Sequence, residues 1–297
     1  MADTPIGADA PVAVIAGSGT LPVEVIEAAQ ARGLPVFIVA IKGEADEALK
    51  AHDPLWLDWG QIGKLISSLK AAGVRDIVLI GGISRRPSFK SIVGDTGTMM
   101  RLPRIIRTLA RGDDGLLQGV IRLFEAEGFR IIGAHEIAPA LLAPPGALGV
   151  RTPDESHLRD IALGVRAARR LGALDIGQGA VVVNGRVVAV EAAEGTDGML
   201  RRCAELRAAG RIKWTGRAGV LVKCVKPQQD LRVDLPSIGA RTVELAAQAG
   251  LAGIAVDAGR VLAAGRAALV SKADAAGLFV TGIAADDFAN IGDAADD

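Results

Sequence analysis

Short apolar runs alternate along this chain with longer segments whose apolar residues recur every three to four positions. "PVAVIAG" predicts a buried strand and "LPVEVIEAAQARG" a helix closed by Gly33. "LPVFIVAI" follows as a second strand, "GQIGKLISSLKAAG" as a helix ending at Gly73, and "VRDIVLIGGI" as a third strand. Strands buried on both faces and spaced by capped helices argue for a parallel sheet with helices on either side. Two more helices, over about 102–110 and 114–127, lead to the strand "FRIIGAHEI".

The pattern breaks at "LLAPPGALGVRTPDES", where prolines and glycines replace periodicity. This predicts a Rossmann-like α/β domain over residues 11–142, a linker over 143–153 and a second α/β domain over 154–285. The second domain opens with a helix near 154–171. "AVVVNGRVVAVEA" then carries a hairpin at Asn184-Gly185, a pair suited to the positive φ that a tight turn needs. A helix from about Thr196, the strand "GVLVKCV", a helix closed by Gly250 and the runs "GIAVDAG", "AALVSKADAAG" and "LFVTGI" complete a mixed sheet with helices.

One stretch fits neither period. "KCVKPQQDLRVDLPSIG" leaves a strand through a proline, then sets Gln228, Asp230, Arg232 and Asp234 on alternate positions. Extended, these four share one face and Leu231, Val233 and Leu235 the other. A solvated strand edge accounts for the alternation. It does not account for two carboxylates flanking an arginine beside Lys226.

Composition narrows the function. Lys+Arg and Asp+Glu are balanced at 34 each and tyrosine is absent, so neither a basic field nor a stacking platform for nucleic acid is present. Two cysteines suit a reducing cytoplasm, no run is long enough to span a bilayer, and the N-terminus lacks the marks of a signal peptide.

Candidate chemistry gathers at strand ends. In "AGSGTLP", Gly17, Ser18 and Gly19 would let backbone N–H groups approach a phosphate, or form a bare tight turn. Pro22 stands where a third glycine would complete the dinucleotide fingerprint, and Lys42 ends the second strand where an acid would hold a ribose, which disfavours a nicotinamide cofactor. Gly82, Ser84, Arg85 and Arg86 in "GGISRRPSF" end the third strand and could meet an anion, or form an exposed basic loop. Asp113 and Asp114 read as helix caps. At "VEAAEGTDG", Glu191, Glu194, Thr196 and Asp197 surround Gly195, with Thr196 or Asp197 as the cap. His52, His135 and His157 stand apart, so a metal would be held by oxygen, pointing to Mg²⁺ over zinc.

Together "IAGSGTLP", "GGISRRPSF", "RGDDGLL", "GAHEI", "LDIGQGAVVVNGRVVAVEAAEGTD", "KPQQDLRVDLPSIG" and "AGLAGIAVDAG" resemble the LpxI-type UDP-2,3-diacylglucosamine pyrophosphatases of lipid A synthesis. The resemblance implies a two-domain cytoplasmic enzyme, peripheral to the inner membrane, that uses Mg²⁺ to hydrolyse UDP-2,3-diacylglucosamine to UMP and 2,3-diacylglucosamine 1-phosphate, water attacking the β-phosphorus. The essential acid of the family's R-x-D-x-P motif falls on Asp234. It would orient water directly or through Mg²⁺ held with Asp197 and Glu194, while Lys226 neutralises and Arg232 clamps phosphate oxygens. Gly17, Ser18, Gly19, Gly82 and Ser84 would bind the nucleotide or diphosphate from the first domain, and Gln178, Thr196 and Asp197 from the second. The paired arginine before Pro87 departs from the single one of the family pattern. A homodimer is a further expectation for partners. A nucleotide-sugar transferase and a non-catalytic nucleotide-sugar or lipid binder are the alternatives.

Overall fold

The computed structural model describes residues 5–7, 10–83, 98 and 113–284, and side chains from 117 within the helix that opens the last of these ranges. Ser84, Arg85, Arg86, the helix expected over 102–110 and the side chains of Asp113 and Asp114 lie outside the described residues. The chain divides into two units. The first is Met1–Pro139 with Asp230–Asp234, the second Ala140–Gln229 with Leu235–Asp297.

In the first unit, β1 (Val12–Ala16), β2 (Val36–Ile41), β3 (Leu55–Leu57), β4 (Asp76–Ile80) and β5 (Arg130–Ile131) form a parallel sheet in the order β3-β2-β1-β4-β5. The expected helices are present as α1 (Leu21–Ala31), α2 (Ile62–Ala71) and α3 (Asp113–Ala126). The core on one face combines Ala13, Val39 and Ile77 of the sheet with Leu65, Leu69, Ile121 and Phe124 of the helices. β1 lies between β2 and β4, so the chain turns opposite ways from its two neighbours, the place where open α/β sheets bind ligands.

Two details depart from the sequence reading. β3 follows a 3₁₀ turn over Glu47–His52 and was not foreseen, because "LWL" is only three residues long. The strand expected in "FRIIGAHEI" stops at Ile131, and Ala134–Ile137 is a short helix, α4. Glu136 explains the change: its carboxylate accepts the Gly133 N–H at 2.6 Å and so closes a helical turn.

The second unit holds a mixed sheet in the order β6-β13-β11-β9-β7-β8. Its strands are β6 (Gly146–Ala147), β7 (Gly179–Val183), β8 (Arg186–Val190), β9 (Val220–Lys223), β11 (Gly253–Asp257) and β13 (Phe279–Ile283). β9, β11 and β13 are parallel, with β6 and β7 antiparallel to their neighbours. β6 lies within the residues expected as a linker and pairs with β13 at the sheet edge. β10 (Ser237–Ile238) and β12 (Leu262–Ala263) form a small separate ladder. The helices are α5 (Glu155–Ala173), α6 (Gly195–Ala208), α7 (Ala240–Ala249) and α8 (Arg266–Ala276). Asp154 caps α5 by accepting the His157 N–H at 2.9 Å. The hairpin between β7 and β8 turns at Asn184 (φ 50°) and Gly185 (φ 74°) as expected. Buried Asp160 locks it by accepting both N–H groups, at 3.0 and 2.6 Å.

Candidate active site

At the crevice of the first unit, Gly17 and Gly82 meet backbone to backbone. Ser18 N–H donates to Gly82 O at 2.8 Å, Gly82 N–H returns to Ser18 O at 2.9 Å, and Gly17 N–H donates to Ile80 O at 2.9 Å. A Cβ on Gly17 would lie 2.3 Å from Gly82 O, and Gly81 has φ +100°, so glycine is required at both places. Gly19 N–H donates to the Asp46 carboxylate at 2.7 Å, and Ser18 Oγ to Gly82 O at 3.0 Å. The structure thus brings Gly17, Ser18, Gly19 and Gly82 together, with their N–H groups satisfied internally. Asp46 is an acid that follows β2, missed because the sequence reading looked at Lys42, the residue next after the strand.

The stretch 228–234 is not extended. Val233 and Asp234 N–H both donate to Asp230 O, at 3.1 and 3.0 Å, which closes a turn. Asp230 sets that turn: its Oδ1 accepts Arg232 N–H and Nε, both at 3.0 Å, and its Oδ2 accepts Nη2 at 2.7 Å. The hydrogen bond from Arg232 holds the Asp230 carboxyl below its usual range, and Asp230 in turn raises the guanidinium further. Glu125 takes another guanidinium N–H at 3.2 Å. The expected shared face of Gln228, Asp230, Arg232 and Asp234 is therefore wrong. Local side-chain-to-backbone hydrogen bonds beat the strand period. Half-buried Asp234 follows the turn, and Val233 packs on the first unit's core.

In the second unit, β9 ends where β7 begins, Lys223 lying opposite Gly179, and the antiparallel β8 returns to the same edge. Gln178, Glu191, Glu194, Thr196, Asp197, Lys223, Lys226 and Asp257 all lie at this edge or just beyond it. Lys226 Nζ pairs with Asp175 at 2.7 Å, and its N–H donates to Gln229 at 3.1 Å. Glu194 pairs with Arg202 at 2.7 Å, and Asp197 with Arg201 and Arg241. Among the described residues no group of three or more acidic, histidine or cysteine side chains could hold a metal. Glu194 and Asp197, expected as ligands, are engaged with guanidinium groups instead, so these two do not fit a cation site as they stand.

The edge also contains polar side chains the sequence reading passed over. Lys223 donates to Thr196 Oγ1 at 2.8 Å and to Ser237 O at 3.1 Å, and Thr196 donates to Glu191 Oε1 at 2.9 Å. Asp257 accepts Val225 N–H at 2.9 Å and leaves Arg169 4.0 Å away. Lys223 was missed because it continues an apolar strand, "VLVK", where a charge reads as the strand's exposed end. Both cysteines are free and buried. Burial pushes the Cys203 thiol up to about 11, and burial with the nearby Asp257 carboxylate raises Cys224 well above its usual range.

Models of known domain families match both halves of the chain. Residues 11–141 match the LpxI N-terminal domain and residues 144–281 the LpxI C-terminal domain. The chain belongs to the LpxI family. It is 44% identical over 270 residues to the UDP-2,3-diacylglucosamine pyrophosphatase LpxI of Caulobacter vibrioides, covering 91% of this chain and 96% of that one. For an LpxI chain, the turn built by Asp230 and Arg232 gives the R-x-D-x-P segment a structural account: the arginine fixes the turn, and the aspartate stands at its end.

Proposed function

We propose that this protein hydrolyses UDP-2,3-diacylglucosamine to UMP and 2,3-diacylglucosamine 1-phosphate in lipid A synthesis. The observation that carries the reading is identity of 44% across 96% of a relative bearing that activity in its name. Water attacks the β-phosphorus, the bond from that phosphorus to the bridging oxygen breaks, and the bridging oxygen leaves with UMP. Asp234 orients the water and accepts its proton. Arg232, held by Asp230 and Glu125, positions Asp234, and Lys226 and Lys223 supply positive charge at the edge of the second sheet.

A Mg²⁺ requirement belongs to the same proposal, with the substrate's diphosphate as the chief oxygen donor. When bound, the ion would neutralise charge on the phosphate oxygens. EDTA should abolish turnover and Mg²⁺ restore it. Undiminished rates in chelator would leave the lysines to neutralise the diphosphate alone.

We also place the enzyme in the cytoplasm, peripheral to the inner membrane, because a diacylated substrate resides in a bilayer. No helix among the described residues is long and apolar enough to cross a membrane. Leu174, 72% exposed, and Ile176, 45% exposed, flank Asp175 at the end where α5 meets Lys226, and offer an apolar contact with lipid.

The deciding assay incubates the purified protein with UDP-2,3-diacylglucosamine and Mg²⁺ and follows UMP. No UMP overturns the hydrolase reading. Repeated in ¹⁸O water, label should enter the sugar 1-phosphate, whereas label in UMP would mean attack on the α-phosphorus.

A further inference from the structure

Lys223, Thr196 and Glu191 form a line of hydrogen bonds in the second unit, and its two charged ends are each only 6% exposed. Charges this deeply buried are costly unless well paired, and apolar side chains of similar volume would commonly serve stability as well or better. Glu191 is also closely enclosed. A Cβ on Gly177 would lie 2.1 Å from its carbonyl oxygen, and one on Gly179 2.6 Å from its Oε2. That Oε2 is buried with no hydrogen-bond partner among the described residues. The line sits at the carboxyl end of β9, where ligands bind in sheets of this kind.

The two ends leave the middle residue one role. An ammonium can only donate and a carboxylate can only accept, so they fix the direction of both bonds. A hydroxyl has one proton and two lone pairs. Thr196 gives its proton to Glu191 Oε1 and one lone pair to Lys223 Nζ. Its remaining lone pair has no partner among the described residues, and the residue is half-buried. Thr196 therefore has nothing to donate to a phosphate oxygen, which also only accepts.

We infer that Thr196 is a specificity-determining acceptor, held in place by Lys223 and Glu191, that receives an N–H of the substrate and not its diphosphate. This rests on the hydrolase reading above. UDP-2,3-diacylglucosamine carries two such donors, the uracil N3–H and the amide N–H at C2 of the sugar. The substrate's hydroxyls can donate as well, but each can rotate its proton to another acceptor, whereas an N–H points one way. An oriented acceptor therefore discriminates most strongly for the N–H, whose loss leaves the buried line with an unmet lone pair.

The test measures kcat/KM for wild type, Thr196→Val and Thr196→Ser on the substrate and on two analogues. One analogue is methylated at uracil N3, and the other carries an ester in place of the C2 amide. Wild type should lose about tenfold on one analogue, the size of a good neutral hydrogen bond. That analogue identifies the N–H. Thr196→Val should show a similar loss on the parent substrate and no further loss on the same analogue, while Thr196→Ser keeps the wild-type pattern. A steric effect of the added methyl would persist in Thr196→Val, so it is told apart. Equal losses for Thr196→Val on the parent and both analogues would overturn the inference. So would wild-type kcat/KM unchanged on both analogues, a result that needs no variant to fold. Absence of UMP from wild type and parent substrate would instead sink the hydrolase reading itself.

Discussion

Asp234 takes its place from its neighbours. Asp230 accepts Arg232 through both backbone and side chain, and the turn so formed ends at Asp234. Two variants separate the chemical from the positioning role. Asp234→Ala should fold and bind substrate yet lose roughly 10²–10⁴-fold in kcat, the usual cost of removing a positioned acid or base. Near wild-type turnover would remove Asp234 from the mechanism. Asp230→Ala leaves Asp234 intact but removes the carboxylate that accepts Arg232, leaving the guanidinium to Glu125 and the turn to its backbone bonds alone. It should lower kcat by a smaller factor, about tenfold, with thermal stability reduced as well. Equal kcat for Asp230→Ala and wild type would mean the turn does not serve catalysis.

Among the described residues, charge is buried most completely at the start of β4. The Asp76 side chain is 1% exposed and lies between Arg130 at 2.7 Å and Arg75 at 3.2 Å, so it ties β4 to the neighbouring β5. Burial opposes its ionisation, yet the hydrogen bonds from Arg130 and Arg75 outweigh that and hold the carboxyl below its usual range. A carboxyl with a lowered folded pKa binds fewer protons folded than unfolded. Its stabilisation is therefore complete above the unfolded value near pH 4 and is lost as pH falls through the lower folded value. Asp76→Asn should cost on the order of 3 kcal/mol at neutral pH, since it leaves two arginines at a buried site with less charge to meet them. The gap in Tm between wild type and Asp76→Asn should stay level from pH 8 to 5 and narrow below pH 4. A gap that is constant down to pH 2 would refute the assignment. At the other end of β4, Gly17→Ala forces a methyl onto Gly82 O and should cost at least about 1–3 kcal/mol, read as a lowered Tm.

At the scale of the whole molecule, charge balance decides how a membrane would be met. With Lys+Arg and Asp+Glu equal at 34, no net positive charge draws the chain to anionic lipid. Association should then depend on substrate and on exposed apolar side chains, and persist in high salt. The protein should float with phosphatidylethanolamine–phosphatidylglycerol vesicles that carry UDP-2,3-diacylglucosamine, and much less with the same vesicles lacking it. Leu174→Glu combined with Ile176→Glu should reduce flotation several-fold and leave hydrolysis of detergent-dispersed substrate near wild type. Unchanged flotation of that variant would exclude this turn as the lipid contact.

Hydrophobic period and turn chemistry were enough, by themselves, to determine the α/β class, most strands and helices, and the Asn184-Gly185 hairpin, because those signals act over a few residues. The motifs at strand ends likewise marked the family. Tertiary structure decided what each polar residue is able to do. Alternation in 228–234 yielded to Asp230, whose hydrogen bonds to Arg232 made a turn. Gly17–Gly19 reads from sequence as a phosphate cradle or a bare turn, and only the fold shows that Ile80, Gly82 and Asp46 accept its N–H groups. Glu194 and Asp197 suited a cation by type, but arginines from α6 and α7 meet them instead. Lys223 and Glu191, 32 residues apart in number, gained their meaning only when β8 and β9 brought them to either side of Thr196. Hydrogen-bonding capacity belongs to a residue type, but which bonds remain for a ligand depends on neighbours that only the fold supplies.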